Sequence, residues 1–181
     1  MTQPDFVAAF LSQVREAGIS TALDTCGIAS RKSLTQVLPH VDLVLFDLKE
    51  IDPDRHKVFT GRSNGTILDN LSFIHQTIAQ FQPRTRLWIR TPLVPGATAT
   101  RENLLGLGAY IARQLDDLPE RWELCAFNNL CVDKYRRLGL DWAYAGAPLL
   151  SARELADFED TAKQSGVNPH IVVATGATRA E

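Results

Sequence analysis

What this chain lacks narrows its class before any residue is given a role. It has no apolar stretch approaching membrane-spanning length and no basic-then-apolar N-terminus. Those absences argue against a spanning helix and a secretory signal, and the expected location is the cytoplasm. Charge of one sign is also missing. The 19 lysines and arginines are balanced by 21 acids, mixed along the chain, for a net charge of −2. No broad basic surface advertises nucleic acid or anionic lipid, which leaves room for a small anionic or zwitterionic ligand. There are only three cysteines, Cys26, Cys125 and Cys131, at irregular spacing and with no CxxC. An odd count of this kind argues for reduced thiols rather than a disulfide framework. No solenoid-period repeat or low-complexity tract breaks the 181 residues, so one domain over 1–181 is expected.

What is present is an alternation of helical and strand patterns without a linker. Residues 5–17 place Phe6, Phe10, Leu11 and Val14 at helical spacing, behind Pro4 and ahead of Gly18. Residues 19–23 read as a strand, 33–38 as a short helix closed by Pro39, and 41–48 as a second strand rich in branched apolar residues. Residues 51–65 read as a polar loop, and 67–81 as a helix with Leu68, Leu71, Ile74, Ile78 and Phe81 on its buried stripe. A strand over 87–91 leads through a Pro and Gly loop into a helix capped by Thr100. Residues 122–127 form a strand, 132–138 a helical turn, 151–164 a helix and 169–173 a last strand. Such an ordered series with short connections demands an α/β fold, a parallel sheet with helices outside it and both faces covered. In a barrel of that kind the reactive residues sit at the C-terminal strand ends.

Those ends carry the chemistry. Asp47 and Lys49 follow the second strand two residues apart, so alternation puts opposite charges on one face. Asp24 and Thr25 end the first strand, Arg90 and Thr91 the third, and Phe127, Asn128 and Asn129 the fourth. The set holds acids, bases and amides without a catalytic acid–base dyad, and suits gripping a polyfunctional zwitterion better than cutting a bond. The plainer alternative is a solvated Asp47–Lys49 ion pair and a turn begun by Asp24.

ALDTCG at 22–27, the run from Leu38 to Leu71 (LPHVDLVLFDLKEIDPDRHKVFTGRSNGTILDNL), IRTPLVPG followed by Glu102 and Asn103, and DKYRRLG together resemble the glycyl-radical-enzyme activases. These are radical S-adenosylmethionine proteins, and the resemblance covers nearly the whole chain in order. It implies a partial (βα)6 barrel of the TIM type, holding a [4Fe-4S] cluster and S-adenosylmethionine. Reductive cleavage there yields a 5′-deoxyadenosyl radical, which takes hydrogen from a backbone glycine in the glycine loop of a partner such as pyruvate formate-lyase. Carried over by position, Asp47 and Lys49 match the family's DLK, which contacts polar parts of the cofactor. Asp24 and Thr25 match its DT pair, which with Asp47 and the Leu45 carbonyl can hold a monovalent cation beside the cofactor carboxylate. Arg90 matches the arginine of the family's R-x-P-L-x-P-G strand end.

The chain departs from the family pattern in two places. The CxxxCxxC loop that binds the cluster is absent, and Cys125 and Cys131 lie on the wrong strand to replace it. The family carries a GGEP segment just before a pattern like residues 1–10, so Met1 reads as an internal methionine, with the cluster loop and first part of the barrel expected upstream. The chain alone is then expected to be inactive, with an open strand edge through which it self-associates. At FNNLC, Asn128 stands where many activases have a histidine, and an amide can still donate to the cofactor.

The remaining features read as structural. His56 is a loop hydrogen-bonder, and His40, His75 and His170 have no metal spacing. The GLG at 106–108 serves close helix packing rather than a dinucleotide, Cys26 packs, and Trp88 and Trp122 belong to the core or barrel wall while Trp142 covers a loop. Two functions stand beside the activase fragment: a stand-alone, non-catalytic module that binds S-adenosylmethionine or a partner, and a barrel lyase using Lys49 as a Schiff-base amine, against which Asp47 argues.

Overall fold

The computed structural model describes residues 1–116 and 118–179. Its elements are α1 (Pro4–Glu16), β1 (Ala22–Thr25), α2 (Arg31–Val37), β2 (Leu43–Asp47), α3 (Pro53–Thr60), α4 (Gly65–Phe81), β3 (Arg86–Leu93), α5 (Arg101–Gln114), β4 (Arg121–Ala126), α6 (Val132–Arg137), α7 (Ala152–Lys163) and β5 (Val172–Thr175). The strands form one all-parallel sheet in the order β1-β2-β3-β4-β5. Each crossover therefore steps to the next strand in the same direction, and right-handed connections then carry every helix to the same side. This is the winding of a barrel wall left open at β1 and β5.

That winding corrects the expectation that both faces are covered. Val44, Phe46, Leu87, Ile89, Leu93, Trp122 and Leu124 alternate onto one face and are wholly buried beneath the helices. Enclosing a side chain of this size contributes about 2 kcal/mol. Their neighbours Leu43, Leu45, Trp88, Arg90, Glu123 and Cys125 alternate onto the other face and are only half-buried. Helix α4 seals the covered face with Ile67, Leu71, Ile74 and Ile78, a stripe at helical period; Leu68 is half-buried and Phe81, at the last position, is exposed.

Local chemistry explains the other differences. The segment read as a polar loop contains α3, started by Asp52, whose Oδ1 accepts from the Asp54 and Arg55 N–H groups, and ended by Gly61 in the left-handed conformation (φ 79°). Val58 and Phe59 point to solvent, so this helix has no apolar stripe to reveal it. Ile19 closes α1 by donating to the Val14 carbonyl at 3.1 Å, which delays β1 until Ala22. Residues Pro169–Ile171 form a 3-10 turn, and β5 begins only at Val172. In α1 the inward stripe is Val7, Ala8 and Leu11, whereas Phe6 and Phe10 stack on each other outside, ring centroids 6.1 Å apart.

Candidate functional site at the strand ends

Strand register brings the charged residues together on the helix-free face. Asp47 lies opposite Arg90, and Arg90 opposite Glu123, while Asp24 lies opposite Leu45 one strand further out. Arg90 Nη1 donates to Asp24 Oδ2 at 2.7 Å, and its Nε stands 3.8 Å from Glu123 Oε2. Glu123 is held in turn by Arg121 Nη2 at 3.0 Å. Lys49 Nζ donates to Asp47 Oδ2 at 3.0 Å, both side chains about a third exposed or less. The result is a patch of alternating acids and bases with Arg90 at its centre. Burial works against the Arg90 charge, but hydrogen bonds to Cys125 and Asp24 and the fields of Asp24 and Asp47 outweigh it and lift its pKa above the ordinary arginine value. Burial also pushes the Cys125 thiol up, and the Glu123 carboxylate adds to that against the pull of Arg90.

Four of the residues expected at the site thus meet: Asp24, Asp47, Lys49 and Arg90. Thr25 does not join them, because alternation turns it to the opposite side of β1, where its Oγ1 accepts from the Gly27 N–H at 3.1 Å. Leu45 sits mid-strand, paired in the ladder between Asp24 and Trp88. Asn128 is exposed and its Oδ1 accepts from the Leu130 N–H at 3.2 Å, a turn within its own loop. Cys26 is exposed rather than packed, because β1 ends one residue before it. Trp122 is the core residue expected, donating from Nε1 to Thr91 Oγ1 at 3.0 Å, and Trp88 is half-buried against the Arg121 guanidinium. Trp142 stacks on Tyr135, centroids 5.5 Å apart.

The turn that carries Lys49 is clamped from several sides; of the clamping residues, Asn103 was named above only within the family resemblance and Thr91 only as a strand end, and Asn64 and Glu50 were not singled out from the sequence. Asn103 Oδ1 accepts from the Ile51 N–H at 2.9 Å while its Nδ2 donates to the Lys49 and Thr98 carbonyls at 2.9 and 3.0 Å. Asn64 Nδ2 donates to the Glu50 and Ile51 carbonyls, and Thr91 Oγ1 to the Leu48 carbonyl. Glu50, 2% exposed, takes a 3.0 Å ion pair from Arg55. A buried amide between two fixed backbone groups leaves no signal in composition or periodicity, although both asparagines fall inside the segments quoted above.

The donor set suits some groups and not others. Alternating carboxylate, ammonium and guanidinium on one face match the charges of an amino-acid moiety and the hydroxyls of a sugar. A [4Fe-4S] cluster needs a cysteine set, and the residues present do not fit one: Cys26 and Cys131 are exposed and Cys125 half-buried, all free. No group of three or more histidine, cysteine or acidic side chains among the described residues could hold a metal ion. No helix of the described residues is long and apolar enough to cross a membrane.

No family model matches the chain. The pyruvate formate-lyase-activating enzyme of Streptococcus mutans is 36% identical over 150 residues, which is 80% of this chain and 54% of that protein. The choline trimethylamine-lyase activating enzyme of Oleidesulfovibrio alaskensis is 31% identical over 160 residues, 88% of this chain and 50% of the relative. The chain spans about half the length of the curated relatives it matches. The fold is shared with a solved domain of a pyruvate-formate lyase-activating enzyme from Bacteroides vulgatus, at TM-score 0.72 and 22% identity over 96% of this chain and 92% of that one. Over most of its length, the chain is a sequence relative of the activating enzymes of glycyl-radical enzymes.

Proposed function

We propose that this chain carries the cofactor-facing strand ends of a glycyl-radical enzyme activase working in the cytoplasm. The single observation behind this is the convergence of Asp24, Asp47, Lys49 and Arg90 on the helix-free face. In this reading Asp47 and Lys49 bind polar parts of S-adenosylmethionine. Arg90 orients the cofactor's carboxylate, and Asp24, Asp47 and the Leu45 carbonyl hold an accompanying monovalent cation, a set from which Thr25 is excluded by its place on the other side of β1; Asn128 donates to the cofactor from the β4 end. The bound cofactor supplies hydrogen-atom abstraction from a backbone glycine of a partner enzyme such as pyruvate formate-lyase. The cluster that such chemistry uses has no ligands among these residues, so the chain by itself is inactive and 1–181 is an incomplete barrel. Its open β1 edge is a place for self-association, which light scattering measures.

Titration calorimetry with S-adenosylmethionine tests the reading. Saturable binding that weakens at least tenfold in Lys49→Ala, with no 5′-deoxyadenosine formed under reducing conditions, supports it. A flat isotherm removes the cofactor role, and cofactor cleavage by this chain removes the claim of inactivity. A non-catalytic binding module is the second reading, favoured by the lack of a thiolate set; it differs in that activity stays absent when the chain is combined with a cluster-bearing half of a relative.

A further inference from the structure

Beside the charged patch lies a cavity of about 190 Å³ lined by Cys26, Asp47, Lys49, His56, Thr60 and Ile67. His56, on α3, is 3% exposed, and its Nδ1 stands 2.6 Å from the Arg62 carbonyl oxygen. A carbonyl has no proton to give, so Nδ1 carries the hydrogen and donates. In the neutral ring the tautomer is thereby fixed, and Nε2 bears a lone pair. Among the described residues Nε2 meets no hydrogen-bond partner, yet the one fully enclosed side-chain nitrogen or oxygen without a partner is Arg121 Nε. Nε2 is therefore neither hydrogen-bonded nor fully enclosed, and its residue lines this cavity.

A second cavity of about 460 Å³ shares Lys49 and Thr60 as a wall and is lined on its far side by Phe127, Tyr135, Trp142 and Tyr144. The smaller space has room for about six waters at ~30 Å³ each, the scale of a pentose, and its polar groups include an acceptor at Asp47, a donor at Lys49 and the bare Nε2. The larger one offers ring faces to a flat heterocycle. A polyhydroxylated ring joined to an aromatic base is the ligand that both shapes fit.

We infer that His56 Nε2 accepts a hydrogen bond from a ribose hydroxyl of a nucleoside held across these two cavities. The inference rests on the proposal that a nucleoside cofactor binds at these strand ends, and gives His56 a binding role besides its structural bond to Arg62. The test uses the chain as it is, with adenosine and S-adenosylmethionine as probes. An asparagine at 56 keeps an amide nitrogen near the place of Nδ1 and offers nothing at Nε2, whereas glutamine offers an oxygen there. His56→Asn is expected to retain the unfolding temperature and weaken adenosine about tenfold, the worth of one hydrogen bond, and His56→Gln to recover most of that loss. In nitrogen NMR of the free protein, His56 should show an unprotonated Nε2 whose resonance moves on adding adenosine. Binding of both probes through His56 supports the inference and the cofactor reading together. Adenosine binding through His56 with no binding of S-adenosylmethionine keeps the inference and removes the cofactor reading. If S-adenosylmethionine binds His56→Asn as tightly as the unaltered chain, or if Nε2 is found protonated, the inference falls while the cofactor reading stands. If neither probe binds, both fall.

Discussion

The guanidinium of Arg90 on β3 reaches over the intervening strand to the Asp24 carboxylate on β1, closing a 2.7 Å contact between residues 66 positions apart. It draws the edge strand into the charged patch. The pair itself contributes little to stability, because the Asp24 side chain is 60% exposed and solvent screens it. Asp24→Asn is therefore expected to change the unfolding free energy by less than about 1 kcal/mol. Arg90→Met is different, since it leaves Asp24, Asp47 and Glu123 around an empty centre. A loss of about 2 kcal/mol is expected, partly recovered at high salt as repulsion is screened. Urea unfolding of both variants at low and high salt decides this. Equal losses would show that the contact, and not the crowding of carboxylates, dominates.

Asn103 should matter more than any exposed ion pair. Replacing it with alanine strands the half-buried Ile51 N–H and Lys49 carbonyl and the buried Thr98 carbonyl. A loss of about 3 kcal/mol is expected by chemical denaturation, with Asn103→Asp recovering only the bond from Ile51. Faster hydrogen exchange at Ile51 in the alanine variant would localise the loss to the turn that carries Lys49. A loss below about 1 kcal/mol would mean that Asn64 and Thr91 hold the turn without it.

Most of the architecture could be read from the residues, because period and alternation report burial directly. The stripe Leu71, Ile74 and Ile78, and the run from Val44 to Asp47, each match one face of an element. Asp47 and Lys49 were placed for the same reason: two residues apart at a strand end means one face. What alternation could not show was the reach of long side chains. Nothing in the chain order says that Arg90 would cross β2, or that Glu123 and Arg121 would extend the patch along β4. Helix α3 was missed because its start is marked only by Asp52 and Pro53, while its outer residues Val58 and Phe59 break the expected pattern. Thr25 shows the opposite failure. It stands next to Asp24 in sequence and for that reason on the other side of the strand.

Gly108 on α5 is a close-approach position. A Cβ there would meet the Ser165 side chain and come within 2.9 Å of Trp122 Cζ3, an enclosed ring with little room to move. Alanine gains about 1 kcal/mol of helix propensity over glycine, and overpacking costs about 1–3 kcal/mol. Gly108→Ala is therefore expected to destabilise by up to about 2 kcal/mol. Shrinking the opposing side chain, with Ser165→Gly in the same chain, should return part of it. Thermal unfolding of the single and double variants measures the coupling, and an alanine variant more stable than the original would show that α5 can shift away from α7 at no cost.

Glu154 closes the start of α7. Its Oε2 accepts from the Ser151 N–H at 2.7 Å and from Arg179 Nη2 at 3.1 Å, while Ser151 Oγ accepts from the Glu154 N–H. The Ser151 N–H first, then the Ser151 hydroxyl and Arg179, lower its pKa from 4.5 to about 2. In the folded chain the carboxyl therefore binds its proton less readily than in the unfolded chain. Its contribution is complete above pH 4.5 and drains away as the pH falls towards about 2. Glu154→Gln keeps the shape of the cap without the charge. The difference in unfolding temperature between the two proteins should be constant from neutrality down to pH 4.5 and shrink steadily below it. Added salt should reduce the constant part, because the Arg179 contact is half exposed. A difference that stayed the same through the acid range would mean that the carboxylate titrates alike in both states and that the cap is held by Ser151 alone.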